Sequence, residues 1–234
     1  MDNLSTNNKH LDNGCQEDFF AIINSMDRFI LDANVFFNME AGFDMGKKTD
    51  QVINNIIYYG EKLKGKIEFI MPPSAVEEFM SFFENKNQPQ IKKLLSVTIT
   101  RSPNRNSLAL SVNVFYQLID EARTRNYHGL NLGEEEVKKA GQLMIGEKNL
   151  TKKEFELKIG SVIKNYRTRY RQATRVGFID SVADLDLIIL AKETEGFLVS
   201  ADAGVIRWGR VFGVREVLPS VFRSRLDSLA RRRG

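Results

Sequence analysis

Residues 180–202, with the sequence DSVADLDLIILAKETEGFLVSAD, join a helix pattern directly to a strand pattern. The first part predicts a helix over 181–194, and the apolar run 196–200 predicts a strand. Asp180 lies where the helix begins, and Asp202 follows the strand. A carboxylate at the end of a strand contributes little to packing, so this segment indicates a site as well as a fold.

Strand and helix patterns also alternate in most of the remaining chain. Predicted strands cover 28–31, 67–71, 97–100 and 214–218, and predicted helices cover 50–64 and a short stretch near 203–210. Ser74 and Glu77 follow two prolines with the spacing of a capping box, which predicts another helix start. Strands that alternate with helices in this way are typical of an α/β fold with a parallel sheet.

The segment 106–176 lacks strand patterns and predicts two long helices. Apolar residues share one helical face before Gly129, which is expected to end the first helix. Thr151 and Glu154 have capping-box spacing and are expected to open the second helix. The predicted organisation is a polar, partly disordered extension over 1–26, an α/β domain made of 27–105 and 177–234, and an inserted antiparallel helical hairpin over 106–176.

Composition excludes several classes of protein. A chain of 234 residues with 42% apolar residues is typical of a globular protein with one core. The single cysteine, Cys15, excludes an intramolecular disulfide and a cysteine-based zinc site, and it favours a reducing cytoplasm. The sequence lacks an 18-residue apolar run and a signal-peptide pattern, so we expect no membrane association. The net charge of +4 is only a weak indicator of nucleic-acid binding.

Four aspartates are candidate metal ligands. Asp32 follows the first predicted strand, so we expect it at the same edge of the sheet as Asp202. Asp184 is four residues from Asp180, which places both on one face if the helix includes them. Four carboxylates in one crevice repel each other unless a cation neutralises them, and Mg²⁺ or Mn²⁺ suits an all-oxygen site. Such a site in a basic protein indicates hydrolysis of a phosphodiester bond.

Three further residues are metal-site candidates of second rank. Glu78 lies one turn into the helix after the two prolines, and Asn34 follows the first strand. Asp186 is about 240° around the helix from Asp180 and is expected to point elsewhere. Two of the four aspartates also have a purely structural alternative: Asp180 as a helix N-cap and Asp202 as a turn residue.

Basic residues concentrate on the second helix of the hairpin. The candidates for RNA binding are Lys164, Arg167, Arg169, Arg171 and Arg175, with a weaker group at Arg231, Arg232 and Arg233. Spacings of three, four and four positions separate Lys164, Arg167, Arg171 and Arg175, so these four residues line one face of a helix. Such a stripe would contact phosphates with little dependence on sequence, and the alternative is a solvated helix face.

The acidic motifs, in their order along the chain, resemble those of the PIN-domain nucleases, and more closely the minimal protein-only ribonuclease P family known as HARP. The similarity is carried by Ile179–Asp186, by Leu198–Gly204 and by Trp208. It extends to Leu31–Phe36, Met71–Ser74 with Glu78, Arg101–Pro103 and Leu226–Arg233. The resemblance therefore covers the chain from about residue 27 to its end.

This resemblance implies a PIN fold with a helical hairpin called a spike, and removal of the 5′ leader from precursor tRNA. The activity would depend on Mg²⁺ and would need neither an RNA subunit nor an organic cofactor. The implied active site consists of Asp32, Asp180, Asp184 and Asp202. The spike would carry RNA-binding arginines and dimer contacts, and the dimers would build homo-oligomers up to a dodecamer.

The chain departs from the family pattern in two places. Asp32-Ala33-Asn34 stands where the family has Asp-Thr-Ser, and the extension 1–26 lies outside the family core. Two other functions stay open at this stage. One is a toxin-type PIN ribonuclease, although that class is usually compact and lacks a long helical insertion. The other is a non-catalytic RNA-binding partner of an RNA ligase, in which the acidic residues would be dispensable.

Overall fold

The computed structural model describes residues 26–38, 44–106 and 108–231. Within them, five parallel strands form one sheet in the order β3-β2-β1-β4-β5, and eight α-helices flank it. The predicted α/β class with a parallel sheet is therefore confirmed. The predictions for the extension 1–26, apart from its last residue, and for Arg232 and Arg233 lie outside the described residues.

The elements follow one another along the chain as an alternation of strands and helices that a long helical pair interrupts. In order they are β1 (Asp27–Leu31), a 3₁₀ helix (Ala33–Phe36), α1 (Thr49–Lys62), β2 (Ile67–Met71), α2 (Pro73–Ser81), α3 (Pro89–Val97), β3 (Thr98–Thr100), α4 (Val112–Met144), α5 (Lys152–Thr174), α6 (Val182–Glu193), β4 (Phe197–Val199), α7 (Ala203–Val211), β5 (Arg215–Glu216) and α8 (Pro219–Arg231).

The centre of the sheet is β1, which pairs with β2 on one side and β4 on the other. Phe29, Ile30 and Leu31 are fully buried, because helices cover both faces of the sheet. The backbone N–H of Asp32 donates to the Val199 carbonyl at 3.1 Å. This bond holds the first residue after β1 beside the end of β4, at the edge where ligands bind in open α/β sheets.

The helices α4 and α5 pack against each other as the predicted hairpin. With 33 residues, α4 is about 50 Å long. The capping box that opens α5 is confirmed, because the side chains of Thr151 and Glu154 exchange hydrogen bonds with each other's backbone N–H. The predicted helix end at Gly129 is wrong. Gly129 lies inside α4, where a Cβ atom would come within 2.8 Å of the Tyr170 ring, so glycine serves close helix packing here.

Arginines tie the hairpin to the α/β domain. Arg207 of α7 donates to both carboxylate oxygens of Glu121 at 2.6 Å and to the Gly177 carbonyl at 2.9 Å. Arg125 donates to the same carboxylate and to the Val176 carbonyl. The hydrogen bond from Arg207, with that from Arg125, holds the pKa of Glu121 below its usual range. These contacts fix the loop that leads from α5 to α6.

One local prediction failed and two helices were missed, each for an identifiable reason. The capping box at Ser74 is wrong, because Pro73 is the first residue of α2 and the buried Ser74 hydroxyl has no hydrogen-bond partner among the described residues. The helices α3 and α8 were not predicted, and both begin at a proline, Pro89 and Pro219. Proline in the first turn of a helix is a start signal that could have located them. Gly65 has a positive φ of 78°, but it lies two residues beyond Leu63, the C-cap of α1, in the turn that leads to β2.

Candidate active site

Asp32 is the buried member of the acidic set, with 6% of its surface exposed. Its carboxylate accepts hydrogen bonds from the Ser200 hydroxyl at 2.5 Å and from the Asn34 side-chain amide at 2.6 Å. Burial raises the pKa of Asp32 to about 6, and the charges of Glu78 and Asp184 add to this effect, while the hydrogen bonds oppose it. A carboxylate with such a pKa gains from a nearby cation.

Asp202 lies after β4 and caps the N-terminus of α7. Its Oδ1 atom accepts from the backbone N–H groups of Gly204 at 2.6 Å and Val205 at 3.0 Å. The structural alternative for Asp202 was a turn residue. The structure instead shows Asp202 as the N-cap of a helix. The N–H of Asp202 donates to the Ser200 hydroxyl at 3.0 Å. Ser200 therefore links Asp202 to Asp32.

The start of α6 differs from its expected form. Ser181 is the N-cap, and its hydroxyl accepts from the N–H of Asp184 at 3.1 Å. Asp180 precedes the helix, so it is neither the N-cap nor on a shared helical face with Asp184, and both predictions are wrong. Burial raises the pKa of Asp184, and the charges of Asp202 and Asp180 raise it further. Asp180 itself forms an ion pair with Arg175.

The residues of second rank separate into two groups. Burial and the charge of Asp184 raise the pKa of Glu78, which places Glu78 within electrostatic reach of the aspartates. Asn34 orients Asp32 and accepts from the N–H of Ala201 at 3.0 Å. Asp186 instead accepts from Arg105 at 2.9 and 3.1 Å, and its charge is not among the main causes of the raised pKa values of Asp32 and Asp184.

The site residue that sequence reasoning missed is Ser200. It is fully buried, and it contacts Asp32, Asn34 and Asp202 with one hydroxyl. The only signal in the sequence was its place at the end of a predicted strand, two positions before an aspartate. A serine there is common in turns, so the signal was too general to select it.

The carboxylates of Asp32, Glu78, Asp180, Asp184 and Asp202 form one electrostatic cluster. Glu78 and Asp184 raise the pKa of Asp32, Asp184 raises that of Glu78, and Asp180 and Asp202 raise that of Asp184. Their oxygen donors suit a hard divalent cation. Within residues 26–38, 44–106 and 108–231, no group of three or more acidic, histidine or cysteine side chains is close enough to hold a metal ion in this arrangement. Metal binding would therefore require the carboxylates to draw together, and the ion pair of Asp180 would have to open.

The predicted RNA-binding residues of α5, together with Arg175 at its C-cap, do not form one group. Arg169 donates to Glu135 at 2.8 Å and to the buried Glu136 at 2.6 Å, so it joins α5 to α4. Arg175 pairs with Asp180. The remaining three, Lys164, Arg167 and Arg171, are exposed and form no ion pair with any described residue. Arg231 is exposed at the end of α8.

Comparison with known proteins agrees with this fold and acidic cluster. The sequence profile of the family described as PINc domain ribonuclease matches residues 28–231. An RNA-free ribonuclease P from Pyrococcus furiosus is 34% identical over 204 residues, which cover 87% of this chain and 94% of the relative. One from Nitrosococcus oceani is 33% identical over 205 residues, with 87% and 96% covered.

A third relative, an RNA-free ribonuclease P from Methanocaldococcus jannaschii, is 32% identical over 211 residues, which cover 83% of this chain and 88% of the relative. The chain therefore belongs to the PINc domain ribonucleases and, within them, to the family of RNA-free ribonuclease P proteins. The resemblance stated from the sequence motifs is confirmed. No helix among the described residues is long and apolar enough to cross a membrane.

Proposed function

We propose that this protein removes the 5′ leader of precursor tRNA by metal-dependent hydrolysis, without an RNA subunit or an organic cofactor. The observation that carries the proposal is the cluster of mutually repelling carboxylates at the carboxyl edge of the sheet. It occurs in a chain whose relatives are named RNA-free ribonuclease P. The products would be a mature tRNA with a 5′-phosphate and a leader with a 3′-hydroxyl. The single cysteine favours the cytoplasm as the place of this reaction.

PIN nucleases generally depend on a divalent metal ion. We assign the binding of Mg²⁺ or Mn²⁺ to Asp32, Asp180, Asp184 and Asp202, with Glu78 and Asn34 in support. A bound divalent ion supplies an activated water and stabilises the negative charge that develops on the phosphate.

The protein's own groups prepare the site for this chemistry. Ser200 and Asn34 donate to Asp32 and thereby fix the direction of its carboxylate. The two backbone bonds to Asp202 do the same on the other side of the site. Supporting hydrogen bonds of this kind commonly contribute about 10- to 100-fold in metal affinity or activity.

Lys164, Arg167 and Arg171 are the residues that we assign to the RNA backbone. They are exposed on one face of α5 and have no carboxylate partner among the described residues, so their charges are available to phosphates. Arg175 would join them once its bond to Asp180 opens. Arg169 is better explained as a structural residue, because the buried Glu136 would lose a charged partner without it.

We also propose that the chain forms homo-oligomers through the hairpin. A set of large apolar side chains on α4 is exposed: Val112, Tyr116, Ile119, Tyr127, Leu130 and Val137. These six lie within an arc of about 80° around the helix axis, on a different side from the residues that face α5. An apolar stripe of this length on a helix is typical of an interface between proteins. Dimers joined there could build larger rings, including a dodecamer.

The direct test is incubation of the purified protein with a 5′-labelled precursor tRNA, in Mg²⁺ and in EDTA. The proposal predicts one Mg²⁺-dependent cut at the leader junction, with a 5′-phosphate on the mature product. Scattered cuts, or cuts in mature tRNA, would instead indicate a toxin-type ribonuclease. Binding without any cut would indicate the non-catalytic RNA-binding function.

A further inference from the structure

A pair of stacked phenylalanine rings lies beside the acidic cluster. Phe37 follows the 3₁₀ helix that begins after Asp32, and Phe82 follows α2 as its C-cap. Their ring centroids are 4.0 Å apart and their planes differ by 28°. Phe37 also contacts the fully buried Phe79, at 5.7 Å between centroids. The rings thus lead from the core to the surface, where Phe82 is 59% exposed.

The rings share a surface pocket with groups of the acidic site. The pocket is lined by Asn34, Phe37, Asn38, Glu78 and Phe82. Asn34 donates to Asp32 at 2.6 Å, and the charge of Asp184 raises the pKa of Glu78. A ligand that lies on the rings would therefore also lie against Asn34 and Glu78, the two groups that connect this pocket to the acidic cluster.

The exposure of Phe82 has no explanation in the stability of the fold. A large apolar ring that is more than half exposed gains little from burial, yet this ring stacks on that of Phe37. Flat aromatic faces beside a nucleic-acid site commonly stack unpaired bases, and stacking tolerates any base because every base has a π-face. A carboxylate such as Glu78 would repel a phosphate, so the base rather than the backbone fits this pocket.

We propose that Phe82, supported by Phe37, stacks the last base of the 5′ leader during cleavage. This assignment rests on the proposed ribonuclease P function. In a precursor tRNA the first base of the mature molecule is paired in the acceptor stem, whereas the leader base on the other side of the cut is free to stack. The platform positions the scissile phosphate by holding the base on its leader side.

The test compares Phe82→Ala, Phe82→Trp and wild type on two precursors, one normal and one without a base at the last leader position. On the normal precursor, Phe82→Ala is expected to lower kcat/KM by roughly 5- to 150-fold, the equivalent of about 1–3 kcal/mol for one stacked base. Phe82→Trp is expected to retain activity. Wild type is expected to lose a similar factor on the abasic precursor, with no further loss for Phe82→Ala. Equal losses by Phe82→Ala on both precursors would overturn the platform and indicate a role of Phe82 in folding or assembly.

The matched control is Tyr58→Ala on α1, which also removes a half-exposed aromatic ring but lies in a different surface pocket. It is expected to leave kcat/KM within about twofold of wild type. If Tyr58→Ala lowered kcat/KM as much as Phe82→Ala, the effect would belong to the loss of any surface ring, and the platform would be rejected.

A binding experiment separates this proposal from the proposed function. A precursor with 2-aminopurine as its last leader base is titrated with protein in EDTA, where cleavage is not expected. Stacking predicts quenching of the fluorescence by wild type and by Phe82→Trp, but not by Phe82→Ala. Absence of quenching by wild type would overturn the platform whatever the cleavage result. Quenching by a protein that does not cut the precursor in Mg²⁺ would retain the platform and reject the ribonuclease P function.

Discussion

The raised pKa of Asp32 makes a prediction about the stability of the metal-free protein. The pKa rises from 3.8 to about 6, chiefly because the carboxyl is buried. Between these two pH values the folded state binds more protons than the unfolded state, so the free energy of unfolding falls as the pH rises. The contribution of Asp32 is complete below pH 3.8 and is lost as the pH passes 6. The two pKa values differ by an amount that corresponds to about 3 kcal/mol.

Urea unfolding in EDTA at several pH values from 4 to 8 measures this effect. The free energy of unfolding of wild type, relative to that of Asp32→Asn, is expected to decrease by up to about 3 kcal/mol from pH 4 to pH 8. Comparison of the pH dependence matters more than the difference at one pH, since the asparagine also changes the hydrogen bonds to Ser200 and Asn34. Asp120→Asn, which removes an exposed carboxylate on α4, controls for the change in net charge.

The same carboxyl links stability to metal. A divalent cation favours the ionised form of Asp32, so Mg²⁺ is expected to raise the free energy of unfolding more at pH 7.5 than at pH 5. A difference between wild type and Asp32→Asn that stays constant from pH 4 to 8 would refute the assignment of a buried, cation-dependent carboxylate. The difference in free energy of unfolding between wild type and Asp120→Asn is expected to stay nearly constant over this pH range. If that difference changed with pH by the same amount, the assignment would be refuted as well, because the effect would then come from net charge.

Two further experiments test the hairpin. Alanine at Lys164, Arg167 and Arg171 together is expected to reduce the slope of log affinity for RNA against log salt concentration by about 2–3, because each phosphate contact contributes about 0.7–0.9. Titrations at several salt concentrations measure the slope, and an unchanged slope would exclude these residues from the RNA interface. The free energy of unfolding of Gly129→Ala is expected to be about 1–3 kcal/mol lower than that of Gly141→Ala. A Cβ atom at 129 would come within 2.8 Å of Tyr170, whereas a Cβ atom at 141 would have nothing within 4 Å. Equal urea midpoints would contradict the close packing at Gly129.

Features that depend on neighbouring residues were predictable from the sequence. The strand patterns gave β1 and β2 within one residue, because apolar runs bounded by polar residues are local signals. The positions of Asp32 and Asp202 after parallel strands were enough to expect them at one edge of the sheet. The capping box at Thr151 was equally local, and it formed as expected.

Features that depend on contacts between distant residues were not predictable in the same way. The hydrogen bond between Ser200 and Asp32 joins residues 168 positions apart, and no local pattern indicates it. The role of Gly129 follows from the ring of Tyr170 on the other helix, which periodicity within α4 does not reveal. Arg169 belonged to the predicted basic stripe, but the glutamates of α4 determine its contacts. Asp180 failed as a cap because Ser181 competes for the same position with a shorter side chain.

The most direct test of the metal-dependent acidic site is single-turnover cleavage of a 5′-labelled precursor tRNA by Asp184→Asn. Asp120→Asn is the matched control, and circular dichroism verifies the fold of both. The account predicts one cut at the leader junction by wild type and by Asp120→Asn in Mg²⁺, and none in EDTA. For Asp184→Asn it predicts a loss of at least about 100-fold, above the usual effect of removing a supporting residue. Full Mg²⁺-dependent activity in a folded Asp184→Asn protein would contradict the assigned site.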